Sequence, residues 1–217
     1  MERLAFKATD AAMCCRGEQY QMRQKHRHDG ALQMCRSGFH FCRHVMDVGK
    51  YYHLPTHRVF VVQHGPNFTV EDDKGVTDEI EFLCEITADT IAGLLRAPEY
   101  SALMAQNVGG LFALCARRGD NSTLAALLND DSVDARTHIT DALQSACHYG
   151  PLETVALLLE HGADVHACDD RAVRDASLRG DRDMVALLLN SGADVHACDD
   201  EALRKASAYG RLQVVEL

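Results

Sequence analysis

Two hydrophobic periods divide the chain. Up to about residue 87 apolar residues alternate or run in short β-branched blocks, and beyond it they recur every three to four positions. Residues 4–8 (LAFKA) predict a first strand that turns into Cys14-Cys15-Arg16-Gly17. Residues 18–37 are polar and histidine-rich without a helical period, which predicts a hairpin or loop with short strands. Aromatic residues alternate after Gly38 through residue 42 and predict a strand. Val45, Val48 and Tyr52 fall at spacings of three and four and predict a short helix that Pro55 ends. Residues 58–63 (RVFVVQ) are the clearest strand, closed by Gly65-Pro66, and an acidic turn at 71–75 leads to another strand at 79–86. In the helical part, Asp89 is placed to cap residues 90–96, and Pro98 suits the first turn of a helix over 99–106. Helix pairs then follow at 109–118 with 122–129, 140–149 with 152–160, 170–179 with 182–190, and 201–209 with 212–217.

The pairs repeat. HGADVHACDD at 161–170 returns as SGADVHACDD at 191–200, a period of 30, and Gly150, Gly180 and Gly210 keep the same step. Ala142, Leu143 and Ala146 would face Val155, Leu158 and Leu159 within one pair, and a single pair cannot bury both of its faces, so neighbours must stack. The unit of short helix, Gly turn, longer apolar helix and Gly-Ala-Asp loop resembles the ankyrin repeat. Two features depart from that family. Asp-x-Ala-Leu or Asp-x-Ala-Val replaces the usual Thr-Pro-Leu-His start, and the period is 30 rather than about 33 residues. In this the repeats are similar to the short ankyrin arrays of giant viruses and some bacteriophages. The array stops at Leu217 in mid-repeat. That predicts either a longer protein or self-association through the open apolar face. The expected architecture is an α+β domain over residues 1–87, a helical linker or cap over 88–106, and an all-α ankyrin solenoid of about three and a half repeats over 107–217.

Composition narrows the partners. With 47% apolar and 25% charged residues the chain reads as an ordinary globular protein, and it has no run of about 18 apolar residues that would span a membrane. Nine cysteines, an odd number without a leading secretory segment, read as reduced thiols in a cytoplasm-like compartment. The net charge of −10 is unevenly spread. Residues 1–64 carry ten Lys/Arg against five Asp/Glu and seven of the twelve histidines, whereas 107–217 carry ten against eighteen. The repeats would repel nucleic acid, and the N-terminal stretch would attract an anion such as a phosphate. A plainer reading of that stretch is a mixed solvated surface.

Several N-terminal motifs occur together: Phe6-Lys7-Ala8, Cys15-Arg16-Gly17-x-x-Tyr20, Cys35-x-x-Gly38-Phe39-His40-x-Cys42, Asp47-Val48 with Tyr51-Tyr52, and the strand at 58–62. As a set, over roughly residues 4–95, they resemble an uncharacterised domain of phage and giant-virus proteins. For a viral chain the compartment would be the host cytoplasm. The domain is also distantly similar to ADP-ribosyltransferases. That resemblance implies a cation at Arg16 for the NAD diphosphate, a platform at Gly38-Phe39-His40-Phe41, and a following Tyr51-Tyr52. It also implies a late carboxylate, Glu81 or Glu79, for oxocarbenium-like charge. The candidate catalytic set is therefore Arg16, His40, Tyr52 and Glu81, with NAD as cofactor. In the plainer reading Arg16 pairs with a carboxylate, His40 is a satisfied sheet histidine, and Tyr51 and Tyr52 are core.

Zinc held by Cys35, His40, Cys42 and His44, with Cys14 and Cys15 near, is disfavoured because no Cys-x-x-Cys knuckle is present. Cys14 or Cys15 beside Arg16 would be a reactive thiol. His166 and His196, recurring with paired aspartates, read as loop residues that bond the next repeat's backbone rather than as serial metal sites. A protein partner would meet variable positions on the first helices: His138, Gln144, His148, Arg171, Arg174, Arg204 and Tyr209. Protein–protein interaction through the repeats is the expected function, and the alternative is an NAD- or nucleotide-handling N-terminal module that the repeats deliver.

Overall fold

The computed structural model describes residues 3–34, 36–52 and 56–217, so Cys35 and the stop at Pro55 lie outside the described residues. The chain forms two compact units, residues 1–111 and 112–217. The first is rich in antiparallel strands, and the second is a series of helices.

In the first unit, seven strands make one sheet: β1 (Leu4–Thr9), β4 (Lys25–Arg27), β5 (Phe39–Cys42), β6 (Arg58–His64), β7 (Phe68–Glu71), β8 (Lys74–Thr77) and β9 (Glu79–Glu85). Their order is β4-β9-β6-β1-β5-β8-β7, with antiparallel neighbours throughout, and β2 (Cys14–Cys15) with β3 (Glu18–Gln19) forms a separate ribbon. β1 lies mid-sheet between β6 and β5, so both of its edges are paired, and residues 5–9 are all buried. Directly opposed residues share a face. Ala5 opposes Val62 and Lys7 opposes Phe60, which puts Lys7 on the face of the aromatic core. That core gathers Tyr20, Phe39, Phe41, Phe60 and Phe82 with Ala5, Val62 and Ile80. The Phe60 and Phe82 rings meet edge-on at 5.2 Å. A short 3₁₀ turn (Val45–Asp47) and α1 (Val48–Tyr51) occupy the stretch where one helix is expected.

The β7–β8 hairpin is where the pattern underestimates the sheet. Residues 71–75 read as an acidic turn, yet only Asp72 and Asp73 connect the strands, and Glu71 already opposes Lys74. Asp73 accepts from the Lys50 ammonium at 2.8 Å and from the Tyr51 hydroxyl at 2.5 Å, so the turn is held by α1.

Helix α2 (Ala88–Arg96) starts two residues earlier than a cap at Asp89 would place it. Thr87 is the N-cap, its N–H donating to the Thr90 hydroxyl at 3.0 Å. The two helices expected at 99–106 and from 109 are one, α3 (Ser101–Arg118), with Gly109 and Gly110 inside it. A glycine pair in a helix interior costs about 1 kcal/mol per residue. Here the lost side chain has a use, since a Cβ on Gly110 would come within 2.9 Å of Val45. Asn107 lies a turn earlier and accepts the Val45 N–H at 2.9 Å, fixing the same approach.

The second unit continues through α4 (Asn121–Leu128), α5 (Ala135–Tyr149), α6 (Leu152–Glu160), α7 (Ala167–Arg179), α8 (Arg182–Asn190), α9 (Ala197–Ala208) and α10 (Leu212–Val215). The 30-residue period is visible in the buried residues: Ala142, Ala172 and Ala202; Ala146, Ala176 and Ala206; Val155 and Val185; Leu158 and Leu188. Before the right-handed part of α7, Cys168, Asp169 and Asp170 all take φ of 55°, and Cys198, Asp199 and Asp200 repeat the turn. Left-handed L-residues cost about 1–2 kcal/mol each, so this turn needs compensation. Arg174 donates to the Cys168 carbonyl at 2.8 Å, and Arg204 repeats the bond to Cys198 at 3.2 Å. The buried Asp170 accepts the Asp194 N–H of the next repeat at 2.7 Å and lies 3.1 Å from the His166 imidazole. Repeats are thus joined by carboxylate-to-backbone bonds as well as by apolar contact.

This bond makes a measurable prediction. Asp170→Ala strands the Asp194 N–H and should lower stability in urea unfolding by about 1–3 kcal/mol. Asp170→Asn keeps an acceptor oxygen and should lose clearly less. Equal losses for the two would show that the amide bond across the repeats is not what Asp170 supplies.

Candidate functional site

A cavity of about 510 Å³ opens in the first unit, within the size range of small-molecule sites. Three of the four candidate catalytic residues line it: Arg16, His40 and Tyr52. Each arrives by a different local device. Arg16 and Gly17 are the two-residue loop of the β2–β3 ribbon, with φ of 53° and 85°, as a type I′ hairpin requires. Gly17 takes this conformation without strain, and Arg16 is carried to the cavity at the ribbon tip. His40 is on β5 opposite Val76. Tyr52 follows α1 in extended conformation, and its hydroxyl lies 3.5 Å from the Cys15 thiol.

The fourth candidate does not join them. Glu81 is on β9 between Lys25 of β4 and Gln63 of β6, outside the cavity wall. Glu79 is held by Lys25 at 3.1 Å and Arg27 at 3.0 Å. The carboxylates that do line the cavity are Asp10 and Glu18. One Asp10 oxygen already accepts the Ala12 and Cys14 N–H groups, at 2.9 and 2.7 Å. Tyr51 also borders the cavity but is not core: it is exposed and bonded to Asp73, with the Lys74 ammonium 4.7 Å from its ring centre.

Lys7 is the wall residue that sequence reasoning missed. Its side chain is closed off from solvent, with the residue 2% exposed. The ammonium donates to the His40 carbonyl at 2.8 Å, lies 4.0 Å from the Cys15 sulfur and 5.4 Å from the Tyr20 ring centre. The available signal was the fully apolar surround of Phe6-Lys7-Ala8 on a strand whose partners are apolar on both sides.

The electrostatics follow from this packing. Burial, then the charges of Arg16, Lys7 and Lys74, push the His40 imidazole down to about 4, so it is neutral at pH 7. Burial lowers the Lys7 amine from its ordinary value. Burial raises the Tyr20 and Tyr52 phenols, and it pushes the Cys42 thiol up to about 12. Cys14 donates to the Gln19 side chain at 2.8 Å. Among the described residues no three His, Cys, Asp or Glu side chains converge on a metal position, and Cys35 is outside that set.

On the repeats, much of the expected partner face is engaged within the array. Arg174 bridges the Cys168 carbonyl and Glu201, Arg204 holds the Cys198 carbonyl, and Gln144 donates to the Cys168 sulfur at 3.2 Å. His148 and Arg171 flank Asp175 from two helices, at 3.7 and 3.3 Å. The His138 ring lies 5.8 Å from Phe112. Tyr209 is 63% exposed. Tyr149, two periods earlier in the same register, is 59% exposed and carries Arg117 over its ring at 4.3 Å. The 60-residue spacing of these two tyrosines was open to reading in the sequence and was passed over.

Comparison with known proteins agrees with this division. Residues 3–94 match the family model "Domain of unknown function (DUF7666)", and residues 111–199 match "Ankyrin repeats (3 copies)". Among solved structures the chain is similar to "Crystal structure of the ankyrin repeat domain of Bcl-3: a unique member of the IkappaB protein family". It is 32% identical over 48% of this chain and 51% of that one, with a TM-score of 0.41. This chain therefore spans about half the length of that one. No curated protein matches the chain. Among the described residues no helix is long and apolar enough to cross a membrane.

His40 supplies a pH prediction. Its folded value lies below the ordinary 6.5, so between about 6.5 and 4 the unfolded chain binds more protons than the folded one. The contribution of His40 to stability is thus present above this window and lost as pH falls through it. Imidazole NMR should give a His40 midpoint near 4, and His40→Gln should flatten the fall in stability over that window. A midpoint near 6.5 would place His40 in water.

Proposed function

We propose that the protein acts by binding another protein on its ankyrin repeats, with Tyr149 and Tyr209 as principal contacts. The observation that carries this is the pair of large exposed aromatic side chains, Tyr149 and Tyr209, held in one register of the array. Tyrosine and arginine are the residue types that most often dominate interface energy, because they cover much area with few rotatable bonds. Arg174 and Arg204 hold turns, so His148 and Arg171 are the better polar contacts beside the tyrosines. An array with ten basic against eighteen acidic residues favours a partner with a basic contact surface, host-derived if the chain is viral, in a cytoplasmic compartment.

The test is capture with immobilised full-length chain against a Tyr149→Ala/Tyr209→Ala variant. The prediction is a protein retained by the parent and weakened at least tenfold by the variant, with the same melting temperature for both. Identical retained sets would remove the tyrosines from the contact surface.

A second reading concerns the N-terminal unit, as an NAD- or nucleotide-binding, ADP-ribosyltransferase-like module that the repeats bring to its target. It is supported by Arg16, His40 and Tyr52 sharing one cavity wall. In this reading Glu18, which lines the cavity, takes the role first expected of Glu81. Calorimetric titration with NAD and ADP-ribose should show binding that an Arg16→Ala/His40→Ala variant loses, and an absence of heat at millimolar ligand would discard the module.

A further inference from the structure

We infer that Lys7 is the anchor of an anion site in the N-terminal cavity, built for a small molecule that carries a phosphoryl group beside a flat ring. The inference rests on the cavity of the nucleotide reading, yet it does not require that the ligand be NAD.

The argument starts from charge. Lys7 has three N–H donors and is enclosed on a central strand. One donor meets the His40 carbonyl at 2.8 Å, and the Cys15 sulfur at 4.0 Å is a weak second partner. No carboxylate of the described residues forms an ion pair with Lys7, whereas other lysines, Lys25, Lys50 and Lys205, each pair with one or more. Buried charges are normally paired, because an unpaired one forfeits hydration without return. A methionine at this position would fill the same volume at lower cost. An amine kept there with neutral partners is explained by an anion that completes it.

The surroundings fit that occupant. Arg16 and Lys74 line the same cavity, and they make its wall cationic in a chain of net charge −10. Of the two lining carboxylates, Asp10 has an oxygen committed to backbone donors. Tyr20 and Tyr52 supply aromatic surface, and the neutral His40 borders the cavity without adding charge. Burial lowers the Lys7 amine, and an adjacent phosphoryl charge would raise it again.

The test uses the full chain with two probes, inorganic pyrophosphate and NAD. The chain has five lysines, so [¹³Cε]lysine spectra assign Lys7 by elimination with methionine variants of the other four. Saturating pyrophosphate should move the Lys7 resonance more than any other. Lys7→Met should weaken pyrophosphate at least tenfold and melt, without ligand, no lower than the parent. An unmoved Lys7 resonance, or equal pyrophosphate affinity in Lys7→Met, overturns the anchor. If Lys7→Met does not fold, the resonance alone decides. NAD binding that survives Lys7→Met overturns the anchor and leaves the nucleotide reading standing. Pyrophosphate binding that depends on Lys7 without any NAD binding keeps the anchor and discards NAD.

Discussion

An amine enclosed in the middle of an aromatic sheet is the constraint around which the N-terminal unit is arranged. Removing an ammonium from water costs several kcal/mol even after relaxation, while a hydrogen bond to a neutral carbonyl returns about 1 kcal/mol. The bond from Lys7 to the His40 carbonyl therefore cannot balance the burial of its charge. The side chain leaves β1 on the face that carries Phe60 and the aromatic core, and there it is closed off from solvent. The ribbon that carries Cys15 and Arg16 and the segment that carries Tyr52 border the same cavity as the amine.

The repeats follow the opposite rule. One of their buried carboxylates, Asp170, is answered twice, by the Asp194 N–H and by His166, and the left-handed turn beside it is answered by Arg174. Arg179 and Arg211 likewise reach back to carbonyls of the preceding repeat, at 2.9 Å to Cys147 and 3.0 Å to Leu178. Charged side chains here close backbone groups that a stacked helix pair leaves open. For this reason the recurring histidines and aspartates read as scaffold, while Tyr149 and Tyr209 stay exposed outside that bonding.

How much of this was legible in the sequence depended on whether a feature repeats or stands alone. The 30-residue period exposed the helix pairs because each substitution of the pattern could be checked against another copy. The strand at β6 was legible because its β-branched run has one interpretation. The continuity of α3 was not, because Gly109-Gly110 breaks a helix by propensity, and the close approach to Val45 that reverses this is a tertiary fact. The β7–β8 hairpin was missed because its acidic residues occupy strand ends as well as the turn. Arg16, His40 and Tyr52 were legible from a motif order. Lys7 was hidden by habit, since a lone lysine in an alternating strand suggests the solvent face, and only the register with Phe60 places it inside. Glu81 failed for the converse reason, because position along the chain does not tell which edge of a sheet a carboxylate will border.

The state of the wall groups bears on what the cavity can do. General acid–base work near pH 7 calls for a group that titrates near pH 7. His40 is pushed down to about 4 and Cys42 up to about 12, while the Tyr20 and Tyr52 phenols are held in their protonated form. Stabilising an oxocarbenium-like charge calls for a carboxylate at the wall, and Glu81, the residue first assigned to it, borders β4 and β6 instead. Glu18 on the ribbon is the lining carboxylate whose role is still open. The wall also holds the Arg16, Arg36 and Lys74 cations, the Lys7 amine that burial lowers, the His28 and His57 rings and the Cys14 and Cys15 thiols. Among the described residues its cations outnumber its two carboxylates, Asp10 and Glu18, which favours an anion at this wall over a second cation.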